Sequence, residues 1–158
     1  MEIPGEARQA DVYFVPKPQS TTSSTTLGLL SRITTTPCLL EPFRNPPTLT
    51  EIRNCLLKLL LLQANLQPLA KRDNITLPET QLPQLWILVP SASKKTLNGF
   101  AACQKTSWLK GVYHLPAHLK TGIDDPDLAV LDAGEKAAII LAEQQEANTV
   151  PIKRVYGI

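Results

Sequence analysis

Aromatic residues are scarce in this 158-residue chain, at 5% of the total, so any core must be built from Leu, Ile, Val and Ala. Glycines number seven against fourteen prolines, which implies stiff breaks between short elements, and the glycines form no phosphate-loop motif. No GxSxG nucleophile turn is present. Three cysteines (Cys38, Cys55, Cys103) form no CxxC spacing, and the odd count fits free thiols, read as small core residues, rather than a disulfide framework. A formal charge of +2 predicts neither nucleic-acid nor membrane binding. The first nine residues lack the basic and apolar regions of a signal peptide, and the one leucine-rich run is broken by Lys58. These absences lead to the expectation of a cytoplasmic protein without a membrane partner.

The hydrophobic fraction of 43% is that of a folded protein, and the length suits one domain with a tail. The longest helical pattern runs from Thr48 to Pro68. Thr48 and Glu51 form a capping-box start, and Pro68 is expected to end the helix. Leu49, Ile52, Leu56, Leu59, Leu60 and Leu66 follow the helical period, while Leu57, Leu61 and Leu62 widen the stripe beyond one face. Unless the tail or a second subunit covers those three, the expectation is a poorly soluble protein or a homo-oligomer.

Residues 9–15 alternate as a strand, with Asp11, Tyr13 and Val15 on one face and Val12 and Phe14 on the other. Residues 20–26 read as a surface loop, and 27–36 fit a short helix or a strand start equally. Residues 38–43 form a second strand, and 44–47 a turn into the leucine helix. Residues 69–84 read as a connection, and 85–89 as an inner strand covered on both faces. A helix opening near Ser91, a strand at 111–115 and a helical turn at 116–120 follow. The alternation predicts an α/β or α+β fold with a mixed sheet and packed helices over residues 1–123. Residues 124–158 read as a tail with one amphipathic helix, about 132–146, and a last strand near 149–155.

Asp11 on the first strand and Glu41 on the second are the sharpest pair of candidate site residues. On neighbouring strands with matching parity they would hold one divalent ion, Mg2+ or Mn2+, in an arrangement suited to phosphodiester hydrolysis. Such a site calls for a cation, and Arg44 is nearest in sequence. The plainer reading places Asp11 at the water line and Glu41 on an edge before a proline. His114 and His118 stand four apart, but Pro116 between them spoils a helical zinc pair. Lys94 and Lys95 after Ser93 suit either a phosphate contact or a solvated helix face. Trp86 reads as core, and Trp108 as core or as an exposed stacking residue.

Three stretches, RQADVYFVP (8–16), PCLLEPFRNP (37–46) and LWILVPSAS (85–93), resemble a family of uncharacterised cyanobacterial proteins, itself similar to transposase-associated PD-(D/E)XK nuclease-like proteins. The likeness spans residues 5–123 and implies a restriction-endonuclease-like core. In the nuclease pattern an Asp on one strand is followed by Glu-x-Lys on the next, which makes Asp11 and Glu41 the metal ligands and nucleic acid the partner. Phe43 stands where that pattern has Lys, Arg44 lies one residue outside the alternation, and the usual preceding helix is missing, with Glu2 and Glu6 as weak substitutes for its acid. The core is therefore expected to be incomplete.

In the tail, LDAGEKAAIILA (131–142) resembles the central helix of PIN-domain toxin ribonucleases, in which the Glu of the Gly-Glu pair is a metal ligand, here Glu135. The second acid that pattern needs after the helix is absent, and Glu135 also serves as capping partner of Asp132. Two function classes follow. One is a metal-dependent nuclease of PD-(D/E)XK type, active or damaged. The other is a non-catalytic interaction protein, a product of a truncated or rearranged reading frame or a PIN-type remnant.

Overall fold

The computed structural model describes residues 8–16 and 28–125. The expected loop at 20–26, the tail helix with Asp132 and Glu135, the last strand, and Glu2 and Glu6 lie outside the described residues. The fold is α+β, with one six-stranded mixed sheet and helices on both of its faces. In chain order the elements are β1 (Val12–Phe14), α1 (Gly28–Ile33), β2 (Cys38–Pro42), α2 (Leu49–Arg72) and β3 (Gln84–Leu88). They continue with α3 (Lys94–Gly99), β4 (Cys103–Gln104), β5 (Val112–His114) and β6 (Thr121–Asp124). Single turns of 3-10 helix occupy Glu79–Gln81 and Ala117–Leu119.

The sheet order is β1-β2-β3-β6-β5-β4. Strands β2, β3 and β6 run parallel, β1 is antiparallel to β2, and β5 is antiparallel to β6 and β4. Central β3 is buried along Leu85–Val89, as its unbroken apolar run requires of a strand covered on both faces. On one face Leu39, Leu85, Ile87 and Ile123 pack against α2 and α3. On the other Cys38, Leu40, Trp86, Leu88 and Val112 pack against α1. Alternation along each strand distributes the two sets, because successive side chains point to opposite faces.

Helix α2 starts where expected. Glu51 N–H donates to Thr48 Oγ1 at 3.2 Å, and Thr48 N–H donates to the Glu51 carboxylate at 2.7 Å. Its buried residues are Ile52, Cys55, Leu59, Leu62 and Leu66, one narrow stripe at alternating steps of three and four. At roughly 1.5–3 kcal/mol per buried aliphatic side chain, that stripe contributes on the order of 10 kcal/mol of gross burial. Three expectations are corrected here. Leu62 lies inside the stripe, whereas Leu49 and Leu60 are exposed together with Leu57 and Leu61.

Pro68 does not end the helix, which continues to Arg72. Its fixed φ is helical, and at an exposed position the one missing hydrogen bond falls on the solvent side, where water meets the freed carbonyl. The true end is a Schellman arrangement. Asn74 takes φ 56°, Ile75 N–H donates to Ala70 O at 2.8 Å, and Asn74 N–H donates to Lys71 O at 3.2 Å.

Residues 27–36, left open in the sequence, hold α1. Asp124, read as the first residue of the tail, instead ends β6, a strand whose Thr-Gly-Ile-Asp sequence carries little strand signal of its own. Gly122 explains its composition: a Cβ there would lie 2.5 Å from Trp86 Cε3 and 2.7 Å from Cη2, so the indole lies directly on the β6 backbone. Among the described residues, no helix is long and apolar enough to cross a membrane.

Candidate functional site: an acidic pair met by a helix lysine

Pairing of β1 with β2 sets Val12 opposite Leu40 and Tyr13 opposite Leu39. The same register carried one step further brings Asp11 opposite Glu41. Directly opposed residues of an antiparallel pair share a face, with Cβ atoms about 4.5–5.5 Å apart. The two carboxylates expected to be neighbours are therefore neighbours, on the face covered by α2. Arg8, just before β1, donates through Nη1 to Asn54 Oδ1 of α2 at 3.4 Å, tying this edge strand to the helix.

Their environments differ sharply. Asp11 is exposed, whereas Glu41 keeps 1% of its surface. Glu41 Oε2 accepts from Lys58 Nζ at 2.7 Å, and Cys55 Sγ lies 3.8 Å from the same oxygen. Glu41 Oε1 is buried and has no hydrogen-bond partner. The Asp11 main-chain amide is near enough to favour the Glu41 charge, but it does not reach hydrogen-bond geometry with Oε1.

Burial raises the Glu41 pKa above the ordinary carboxylate value of 4.5, and the Asp11 charge pushes the same way. The Lys58 hydrogen bond and charge oppose this without cancelling it. Burial, followed by the Glu41 charge, pushes the Cys55 thiol up to about 12. Cys55 is therefore an unreactive lining residue.

Arg44, the cation chosen by proximity in sequence, is exposed in the bend after β2 and is not among the charges acting on Glu41. The cation that meets Glu41 is Lys58, from the third turn of α2. Sequence reasoning used Lys58 only as a break in the leucine run. The usable signal was that it is the sole charge between Arg53 and Lys71, flanking the Cys55–Leu59–Leu62 stripe and thus turned toward the sheet.

Hard carboxylate oxygens suit Mg2+ or Mn2+, and an orphaned buried oxygen beside a second carboxylate is a donor set such an ion fits. Among the described residues no group of three or more His, Cys, Asp or Glu gathers for a metal, so an ion here would keep several waters. His118 is exposed and His114 half-buried on β5. Lys94 and Lys95 are exposed in the first turn of α3, where Ser93 caps the helix by accepting from Thr96 N–H at 3.0 Å. Cys38 and Cys55 are buried, but Cys103 is exposed on the edge strand β4, against the expectation of three core cysteines.

No family model matches the chain, and neither the characterised proteins nor the solved structures include one significantly similar to it.

Proposed function

We propose that the protein is a metal-dependent phosphodiesterase acting on nucleic acid, with Asp11 and Glu41 as ligands of one Mg2+ or Mn2+. The observation that carries this reading is the buried, unpartnered Glu41 Oε1 beside Asp11, with Oε2 held by Lys58. A buried polar atom left without a partner costs about 1–3 kcal/mol, and a site for a ligand is a recognised reason for tolerating that cost. The resemblance to PD-(D/E)XK nuclease-like proteins points the same way: Asp11 lies in the bend immediately before β1 rather than on the strand itself, Glu41 is on the adjacent β2, and Lys58 supplies from the helix the charge that Phe43 does not.

Bound there, the ion would lower the pKa of a water and stabilise charge on the phosphate. Lys58 fixes one Glu41 oxygen and so orients the other toward Asp11. Its Nζ, on a side chain 19% exposed, is also within reach of solvent and of negative charge developing at the site. Arg44 is assigned a phosphate contact outside the buried pair. Cleavage of a labelled DNA or RNA should require Mg2+ or Mn2+ and be abolished in Asp11→Asn; undiminished cleavage in that variant would exclude this site.

One observation favours a second reading. Glu41 is 1% exposed and already neutralised by Lys58, as in an ion pair that clamps α2 to the sheet of a non-catalytic interaction protein. That reading predicts no metal-dependent cleavage by the wild-type protein. Either reading is proposed for a cytoplasmic protein that self-associates through the exposed Leu57, Leu60 and Leu61 of α2. A sedimentation profile showing only monomer would remove the self-association.

A further inference from the structure

Between Glu79 and Asp124 the chain has no acidic residue but five lysines: Lys94, Lys95, Lys105, Lys110 and Lys120. The modest net charge of the whole hides this 44-residue basic block. Lys120 lies 4.0 Å from Glu79, and Lys94 and Lys95 start α3. The remaining two lie in the loop between β4 and β5, which is closed by main-chain hydrogen bonds. Trp108 N–H donates to Lys105 O at 3.0 Å, Val112 N–H donates to Leu109 O at 3.2 Å, and Gly111 takes φ 92°.

Trp108 anchors this loop to the sheet. Its ring centroid lies 5.1 Å from that of buried Trp86 and 4.7 Å from His114. Over the Trp108 ring lies the guanidinium of Arg32 from α1, 3.8 Å from the centroid, and Arg32 Nη1 donates to Ser107 O at 2.6 Å. Stacking and this hydrogen bond fix the plane of the guanidinium of Arg32, an exposed residue whose head group has five N–H donors in all. Lys105 and Arg32 are also close enough to His114 to lower its pKa. Arg32 and Lys105 thus act on one surface, and Lys110, exposed two residues after Trp108, is carried by the same loop.

We propose that Arg32, Lys105 and Lys110, held around Trp108, bind the phosphate backbone of a nucleic acid. The fork of Arg32 takes a phosphate bidentately and the two lysines act as point charges. Base reading is not part of the proposal, because Trp108 already has Arg32 over its ring and Trp86 and His114 against it. A membrane is disfavoured because Leu109 is the one strongly exposed large apolar side chain of the loop. The choice of nucleic acid as the polyanion rests on the proposed function, but the surface itself does not. It lies on the α1 face of the sheet and three strands from β2, about 14 Å at the usual strand spacing.

The test is fluorescence anisotropy of a labelled 20-nucleotide DNA, single-stranded and duplex, with the full chain in EDTA between 50 and 300 mM NaCl. Three phosphate contacts predict a log-log salt slope of about −2 on the single strand, so that tripling the salt weakens binding about tenfold. Lys105→Gln/Lys110→Gln, two exposed changes with no fold role, should bring the slope to about −0.7. Lys71→Gln/Arg72→Gln at the far end of α2 should leave both affinity and slope unchanged. Equal weakening by the two double variants, no DNA binding by the wild type, or binding of 30% phosphatidylserine vesicles in place of DNA would overturn the proposal. Asp11→Asn should bind DNA in EDTA as the wild type does, so a failure of the hydrolytic site and a failure of this surface are read separately.

Discussion

Removing the Lys58 ammonium should uncover the cost of burying Glu41. At 2.7 Å and an effective dielectric constant of 20, the gross attraction of the pair is about 6 kcal/mol, comparable with the several kcal/mol needed to desolvate each ion. The pair as a whole is thus close to neutral for stability, while each half alone is not. In Lys58→Met a carboxylate 2% exposed loses the one cation that meets it among the described residues, with an expected cost of about 3–5 kcal/mol at neutral pH. Glu41→Gln should cost less, because the Lys58 side chain is 19% exposed and its Nζ can turn to water. Glu41→Met/Lys58→Met should return to within about 1 kcal/mol of the wild type or exceed it.

The pH dependence has a definite sign. The folded-state pKa of Glu41 is raised above its unfolded value, so its contribution is most favourable below about 4.5 and is lost as pH rises toward the folded value. Loss of Lys58 removes the two influences that lower that pKa most, widening the gap. Urea unfolding at pH 5 and pH 8 should therefore show a larger Lys58→Met deficit at pH 8, with up to about 1.4 kcal/mol added per pH unit in the window. A deficit below about 0.5 kcal/mol, or one independent of pH, would refute the buried-pair reasoning.

Gly122→Ala should destabilise by about 3 kcal/mol, since the new methyl would overlap the Trp86 ring in a packed layer; a denaturation midpoint equal to wild type would contradict that packing. His114 is an acid-sensitive group: burial first, then Lys105 and Arg32, lower its pKa from 6.5 to about 4. Its unfolded form takes a proton that the folded form refuses, so stability falls as pH drops through that window. After discounting for its partial exposure the loss is about 1–2 kcal/mol, and His114→Phe should remove it from a stability profile between pH 7 and 4. Native protein should titrate one thiol, Cys103, with Ellman's reagent. Cys38 and Cys55, pushed by burial to about 12, should react only on unfolding, and rapid modification of all three would exclude the described packing.

Much of the fold could be read from local signals. The capping box at Thr48 and the unbroken apolar run of β3 each act within a few residues and formed as read, while the strand read over residues 9–15 formed only at Val12–Phe14. What escaped was decided across the chain. Pro68 stays helical because its missing hydrogen bond faces solvent. Leu62 rather than Leu60 is buried because the sheet takes only one narrow stripe of α2. Strand β6 exists because a glycine lets Trp86 lie on it, and nothing in its own four residues says so. The candidate site divides the same way. Strand parity alone paired Asp11 with Glu41, but its cation comes from a helix three turns long by that point, which no spacing within β2 could reveal.

The most direct measurement on the central claim is a calorimetric titration of the wild-type chain, Asp11→Asn and Glu41→Gln with Mn2+ at pH 7.5, all three being first shown to be folded. One ion should bind to the wild type and none to either variant at the same concentrations. Equal Mn2+ binding by all three proteins, or no binding by a folded wild type, would contradict it.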